Sequence, residues 1–338
     1  MRMMQDHTRK YVTFSNNVFI PVTNICRNNC LYCGFKKDIN DKGAFLLSFG
    51  DVEKILKKGK KNGCIEAMFT FGEYPEKVGG FSSMLKKEGY DRFIDYIRDL
   101  CLLALDLDML PHTNPGSVSL EDLRILKDVN ASMGLMLEEA ALLEVHKNSP
   151  GKTPENRIKT IKNAGKLKIP FTTGLLIGIG ENMEDRIRSL NIIRDLHTSY
   201  NHIQEVIIQN FLPKKETFVE SLRSPSIAEI KETVKLARSI LPNDIAIQVP
   251  PNLIPLDSLP ELIQCGADDL GGISTVTLDY INPESCWPTV EELRYILKDF
   301  ILIERLPIYP KFVKDRWYSK RVGRVIDIYA NEDGFKKE

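Results

Sequence analysis

The sequence predicts an α/β fold: a TIM-type (β/α)8 barrel, mostly closed, carrying a C-terminal extension. Three observations point there. Strand-like and helical segments alternate nearly to the end of the 338 residues, as seven or eight βα units with no low-complexity linker between them. The glycine-rich signature that opens a doubly wound sheet is missing after the first strand, where cysteines stand instead. The chain is also long enough to bury a large core, as one big α/β domain or two smaller ones.

Taken in order, the strand-like runs are 18–23, 66–71, 107–111, 133–138, 171–177, 205–209 and 245–249, with a weaker one near 268–270. Helical patterns lie between them, among them 51–62, 91–105 and 184–197. Three helices carry a start signal: Ser119 with Asp122, Ser226 with Glu229, and Thr289 with Glu292. The last two match the capping box, in which the two side chains satisfy free amides at each other's ends. The barrel is expected to span 1–306, with a cysteine loop at 24–37, and 307–338 to form the extension packed on it.

Composition narrows the function. Lys and Arg number 46 against 46 Asp and Glu, so no global field favours nucleic acid or an anionic membrane. The run Lys57 to Lys61 lacks interleaved aromatics and reads as a solvated helix end. No stretch approaches the roughly 18 apolar residues that span a bilayer. The first ten residues lack the apolar core of a signal peptide, so a cytoplasmic enzyme is expected. Cys64, Cys101, Cys265 and Cys286 are scattered singly, without disulfide-framework spacing, and read as small hydrophobes in a reducing compartment.

The other three cysteines carry chemistry. Cys26, Cys30 and Cys33 form C-x3-C-x2-C in the loop after the first strand. Three thiolates can hold three irons of a 4Fe-4S cubane and leave the fourth iron open to a small molecule. A zinc site with a distant histidine is the alternative, weakened by the lack of a fourth ligand in a finger-like pattern. Barrel geometry independently places chemistry at the C-terminal ends of strands. Polar or special residues fall there: Gly72 and Glu73, His112, Glu138, Gly178 to Glu181, Gln209 and Asn210, Asn252, and the Asp268–Gly272 stretch.

The cysteine loop, with Tyr32 just before its last cysteine, resembles that of the radical S-adenosylmethionine enzymes. F-T-F-G-E-Y-P-E resembles their Gly-Glu motif, and G-L-L-I-G-I-G-E their glycine-rich fifth-strand end. The resemblance implies one 4Fe-4S cluster on Cys26, Cys30 and Cys33, with S-adenosylmethionine chelating the open iron. It further implies cofactor contacts from Gly72, Glu73 (to the methionyl ammonium), Glu138 and the strand-five end with Gly178. By position alone, Tyr32 is expected to cover the cluster or stack on an adenine, Gln209 to bind adenine or a pyrimidinedione edge, and His112 to touch substrate or act in proton transfer. Longer strings, among them L-P-H-T-N-P-G, A-S-M-G-L-M-L-E and D-D-L-G-G-I-S, resemble the deazaflavin-forming branch of that family. That branch implies radical cyclisation with loss of ammonia from a 4-hydroxybenzyl adduct of a ribitylated uracil. The adduct would come from a second synthase subunit, and electrons from a low-potential donor such as ferredoxin or flavodoxin. Asp269 and Asn282 are expected to read the ribityl hydroxyls. Rival readings are the tyrosine-condensing partner enzyme, a biotin-synthase-like enzyme and a zinc-stabilised binding protein.

Overall fold

The computed structural model describes residues 10–337 apart from 215, 216, 218, 220 and 221. The signal-peptide reading of the first residues therefore lies almost wholly outside the described ones. Nine strands form one parallel sheet: β1 (Tyr11–Thr23), β2 (Glu66–Phe71), β3 (Leu110–Asn114), β4 (Ser132–Gly134), β5 (Phe171–Ile177), β6 (Ile203–Asn210), β7 (Ala246–Gln248), β8 (Asp269–Ile273) and β9 (Ile301–Glu304). The first eight are neighbours in sequence order, and β1 pairs with both β8 and β2, which closes the barrel.

The ninth strand was not expected, and it explains the length of β1. Asn17 to Thr23 pair with β2, while Tyr11 to Phe14 pair with β9 lower on the same edge. The first strand thus begins well before residue 18 because two partners share one edge. Helices wrap the outside. Phe93–Asp106 buries Ile97, Leu100, Cys101, Ala104 and Leu105, a spacing of three and four that keeps one stripe on the sheet. Each fully buried Leu or Ile contributes about 1.5–3 kcal/mol.

Several boundaries differ from expectation. Residues 107–109 are not strand: Leu107 caps the preceding helix and Asp108 turns with φ +52°. β3 therefore runs to Asn114, and His112 lies in its middle rather than at its end. β4 stops at Gly134, and Glu138, with φ +66°, keeps only an isolated bridge to Leu175. Ser119 and Asp122 form a full reciprocal capping box, as Ser226 with Glu229 and Thr289 with Glu292 do, because aspartate can reach back as glutamate does. Asn182 with Asp185 makes a fourth that the sequence reading passed over.

The chain after β9 does more than cover the barrel. Pro307 O accepts from Ser132 Oγ (2.6 Å) and Gln204 Nε2 (3.0 Å), at the starts of β4 and β6. Arg305 and Pro307 line the central cavity and close its floor. Beyond them Ile308, Phe312, Val322, Val325 and Ile326 join the main core. Lys60, in the basic run, donates to Tyr329 Oη (2.6 Å) and so ties the last helix to the body, while Lys57, Lys58 and Lys61 are exposed. Cys64 and Cys101 are buried as read, but Cys286 is exposed. Among the described residues no helix is long and apolar enough to cross a membrane.

Candidate active site

The cysteine loop leaves β1 at Thr23, whose hydroxyl donates to Phe45 O (2.6 Å); Asn24 ties the loop's other limb through Gly43 O (2.9 Å) and Phe45 N (3.0 Å). So anchored, Cys26, Cys30 and Cys33 line one cavity of about 380 Å3 that runs down to Arg305 and Pro307. Each sulfur meets a donor. Cys26 Sγ accepts from the Asn28 and Glu73 amides (3.4 and 3.2 Å), Cys33 Sγ from the Lys36 amide (3.4 Å) and Cys30 Sγ from Ser149 Oγ (3.3 Å). Burial pushes the free Cys26 thiol up to about 11 and raises Cys30 too, so metal binding there must release protons.

These features fit a cubane. Its sulfurs are anionic and gain from donors aimed at them. Among the described residues no three His, Cys, Asp or Glu side chains gather closely enough to hold a single ion. A tetrahedral zinc needs thiolates about 3.8 Å apart, whereas a cubane takes each thiolate on its own iron and asks only that they surround a space.

Gly72 and Glu73 follow β2. A Cβ on Gly72 would lie 2.0 Å from Ile25 O and 2.8 Å from Cys26 Cβ, so the glycine admits the cysteine loop itself. Glu73 is buried and heavily engaged. Its Oε1 accepts from Arg27 Nε and Nη2 (3.2 and 2.9 Å), and its Oε2 from the Ser117 amide (2.8 Å), with Arg157 Nη2 3.5 Å away. A Cβ at Gly151 would fall 1.4 Å from Glu73 Oε1, so the carboxylate fills a slot that only glycine leaves open.

Glu138 also lines the cavity, displaced past the end of its strand. It pairs with Lys152 and accepts from Tyr32 Oη (3.2 Å), which lies 3.0 Å from His146 Nε2. Burial alone would push Glu138 up, but Lys152, Arg157 and His146 hold it below the usual range. The Tyr32 phenol is raised well above its ordinary value, first by burial and then by Glu138. Tyr32 thus links the cysteine loop to the loop after β4.

His112 faces the same cavity. The Ser132 hydroxyl proton goes to Pro307 O, so His112 Nδ1 must be the donor in its 2.7 Å bond to Ser132 Oγ. That leaves Nε2, beside Gly134 and Asn114, as the basic nitrogen. Burial lowers His112 to about 4, and His202, which donates to Ile161 O, to about 3. Both lie below the unfolded value of 6.5, so their contribution to stability is complete above pH 6.5 and is lost as pH falls. For His112 the loss by pH 4 is about 3 kcal/mol. Urea unfolding across that range should show a shallower acid slope in His202→Gln than in wild type.

Gln209 lines the cavity and its side chain has no hydrogen bond among the described residues. Gly178 is not on the cavity wall: its amide donates to Glu181 Oε1 (2.8 Å) and a Cβ there would strike Pro225. Asp269 is withdrawn from the cavity to pair with Arg305 (2.6 and 2.9 Å). Asp268 and Asp269 open β8, so they stand at its N-terminal end, away from the rim. Asn282 reaches the cavity, but its amide is spent on Asp279 Oδ2 (3.0 Å). The sequence reading missed Arg27, Lys152, Arg157 and the floor residues Glu66, Glu205 and Arg305. A usable signal existed for two of them: Lys152 and Arg157 fall in the long loop and helix start that follow the fourth strand, on the chemical face of a barrel.

At the floor, one guanidinium faces two carboxylates. Arg305 donates twice to Asp269 and once to Glu205 Oε1 (3.0 Å). Burial raises both acids, but Arg305 holds Asp269 low while Glu205 is raised to about 8, so at neutral pH the pair keeps one proton.

Known proteins resemble this chain in sequence and in fold. Residues 20–193 match the model of the Radical SAM superfamily. The 7,8-didemethyl-8-hydroxy-5-deazariboflavin synthase of Methanosarcina barkeri is 53% identical over 327 residues, covering 97% of this chain and 100% of that one. Its counterpart in Archaeoglobus fulgidus is 53% identical over 330 residues, 97% of this chain and 99% of the other. Among solved structures, the FeFe-hydrogenase maturase HydG from Carboxydothermus hydrogenoformans superimposes with a TM-score of 0.71 at 18% identity, over 94% of this chain and 78% of that one. Methylornithine synthase gives 0.65 at 18%, over 86% and 83%. With its closed barrel and near-full-length identity to these synthases, the chain belongs to the 7,8-didemethyl-8-hydroxy-5-deazariboflavin synthase family of the radical SAM superfamily.

Proposed function

We propose that this chain is a lyase that closes the deazaflavin ring. Its substrate is 5-amino-5-(4-hydroxybenzyl)-6-(D-ribitylimino)-5,6-dihydrouracil, converted by radical cyclisation, loss of ammonia and removal of two further hydrogens to 7,8-didemethyl-8-hydroxy-5-deazariboflavin, with S-adenosylmethionine as the oxidant, itself reduced to methionine and 5'-deoxyadenosine. The identity of 53% over 97% of the chain to synthases of that name is the observation that carries the reading. One 4Fe-4S cluster on Cys26, Cys30 and Cys33, with S-adenosylmethionine, supplies a 5'-deoxyadenosyl radical when bound.

The chain's own residues bind, orient and move protons. Glu73, held by Arg27 and Arg157, offers a fixed carboxylate to the methionyl ammonium. Glu138, Tyr32 and Gln209 border the same space, with Gly178 shaping the fifth-strand end behind it. His112, neutral and with Nε2 basic, is placed to accept a proton as the ring closes. The enclosed barrel keeps the radical near its target and away from solvent. The adduct arrives from a second synthase subunit and electrons from a ferredoxin- or flavodoxin-like donor, in the cytoplasm, without nucleic-acid or membrane partners.

Glu73→Gln should weaken S-adenosylmethionine binding by about 1.5–3 kcal/mol, the worth of a charged hydrogen bond. Equilibrium binding to the reconstituted variant checks it, and unchanged affinity with an intact cluster would remove Glu73 from the cofactor site. The function itself is tested anaerobically, with reconstituted, reduced enzyme given cofactor and adduct. Fluorescent deazaflavin and 5'-deoxyadenosine should appear together. Product made instead from free tyrosine and the diaminouracil would move the chain to the condensing activity.

A further inference from the structure

We infer that Asn252 and Trp287 hold the polyhydroxylated side chain of the substrate; this rests on the deazaflavin reading above. Both residues line the central cavity. Trp287 Nε1 and Asn252 Oδ1 are buried, and neither has a hydrogen-bond partner among the described residues. Buried polar atoms are nearly always paired, so an orphan donor and an orphan acceptor on two residues that line one cavity point to a missing ligand that draws them out when it binds.

The chemistry of the pair narrows what that ligand is. The orientation of Asn252 is set by its own contacts: Nδ2 donates to Asp279 Oδ2 (3.0 Å) and lies 3.5 Å from Ser285 O, which leaves Oδ1 as the free acceptor. Trp287 has only a donor. A carboxylate or phosphate would satisfy the indole but confront Asn252 Oδ1 with another acceptor. An ammonium would satisfy Asn252 but could not accept from the indole. A hydroxyl both donates and accepts, and a flexible chain of hydroxyls can reach two atoms carried by separate segments.

The surroundings hold the two residues in place without competing for the ligand. Asp279 is fully used: Oδ1 accepts from the amides of Ile281 and Asn282 (2.9 and 3.0 Å), and Oδ2 from the side chains of Asn252 and Asn282 (3.0 Å each). It therefore organises the 279–287 turn that carries Trp287, and it binds Asn252 to that turn. Asn282 is a positioning residue here, since its amide points at Asp279.

The test is affinity of the reconstituted holoenzyme for the product 7,8-didemethyl-8-hydroxy-5-deazariboflavin and for an analogue with a pentyl chain in place of the ribityl, read by deazaflavin fluorescence. Wild type should prefer the ribityl compound about tenfold or more. Trp287→Phe and Asn252→Ala should each reduce ribityl affinity about three- to tenfold while leaving pentyl affinity within about twofold. Equal wild-type affinity for the two compounds would overturn the inference and leave the deazaflavin reading standing. So would an equal loss for both compounds in Trp287→Phe, which would assign the indole to the ring. If wild type with an intact cluster bound neither compound, the deazaflavin reading and the inference would fall together.

Discussion

Replacing Cys26, Cys30 or Cys33 by alanine should abolish S-adenosylmethionine cleavage while leaving the barrel folded. The three thiols are half-buried at the rim and lie outside the apolar core, so their loss removes almost no packing. On the cluster assignment proposed above, each replacement removes one iron ligand, and a cubane held by three thiolates cannot spare one. Cys26→Ala should cost the most stability of the three, because the Asn28 and Glu73 amides lose their acceptor. An unsatisfied buried donor costs about 1–3 kcal/mol. Iron and sulfide analysis with Mössbauer spectroscopy on wild type sets the baseline, and circular dichroism checks the fold of each variant. Wild type carrying a single tetrahedral zinc after aerobic handling would refute the cluster assignment outright.

Arg305→Met should destabilise the fold by about 3–5 kcal/mol, the usual result of stripping a buried ion pair of one partner. Asp269 and Glu205 are both buried, and Arg305 is their shared cation. Methionine replaces the volume but not the charge. Adding Asp269→Asn and Glu205→Gln should recover much of the loss, because the uncompensated charge on the pair then disappears and no acid is left to ionise as pH rises. The pH dependence separates charge from packing. Glu205 has its folded pKa raised to about 8 from 4.5, so its contribution is complete below pH 4.5 and is lost as pH rises towards 8. Without the guanidinium the acid rises further, and stability should fall more steeply from neutral to alkaline pH than in wild type. Urea denaturation at several pH values would show this. A cost below about 1 kcal/mol, with an unchanged pH slope, would mean water reaches the floor and screens the acids.

Features set by short stretches of chain were readable from sequence. The capping pairs depend on residues three apart, and all three expected starts are present. The run 171–177 was placed to the residue, because every position of β5 is buried and the whole segment is apolar or small. The cysteine spacing and the Gly72–Glu73 pair drew attention to the rim where the cysteines, Gly72 and Glu73 line one cavity, since barrel loops at strand ends collect polar groups. Errors began where a segment's state depends on a distant partner. Residues 133–138 read as strand, but the backbone breaks ladder at Gly134 and turns left-handed at Glu138, where the side chain meets Lys152 and Tyr32.

By itself the sequence determined the alternation of strand and helix, the barrel class, the helix starts and the cysteine loop, because hydrophobic period, capping and cysteine spacing are local properties of the chain. Only the tertiary structure decided that β9 shares an edge with β2, that Arg305 enters the barrel to hold Asp269 and Glu205, and that Glu73 sits between Arg27 and Arg157. It also decided which nitrogen of His112 is basic, through a carbonyl at Pro307 that is far along the chain. Those outcomes depend on which charged and polar groups meet once water is excluded, and a buried group's partner is chosen by packing rather than by its neighbours in sequence.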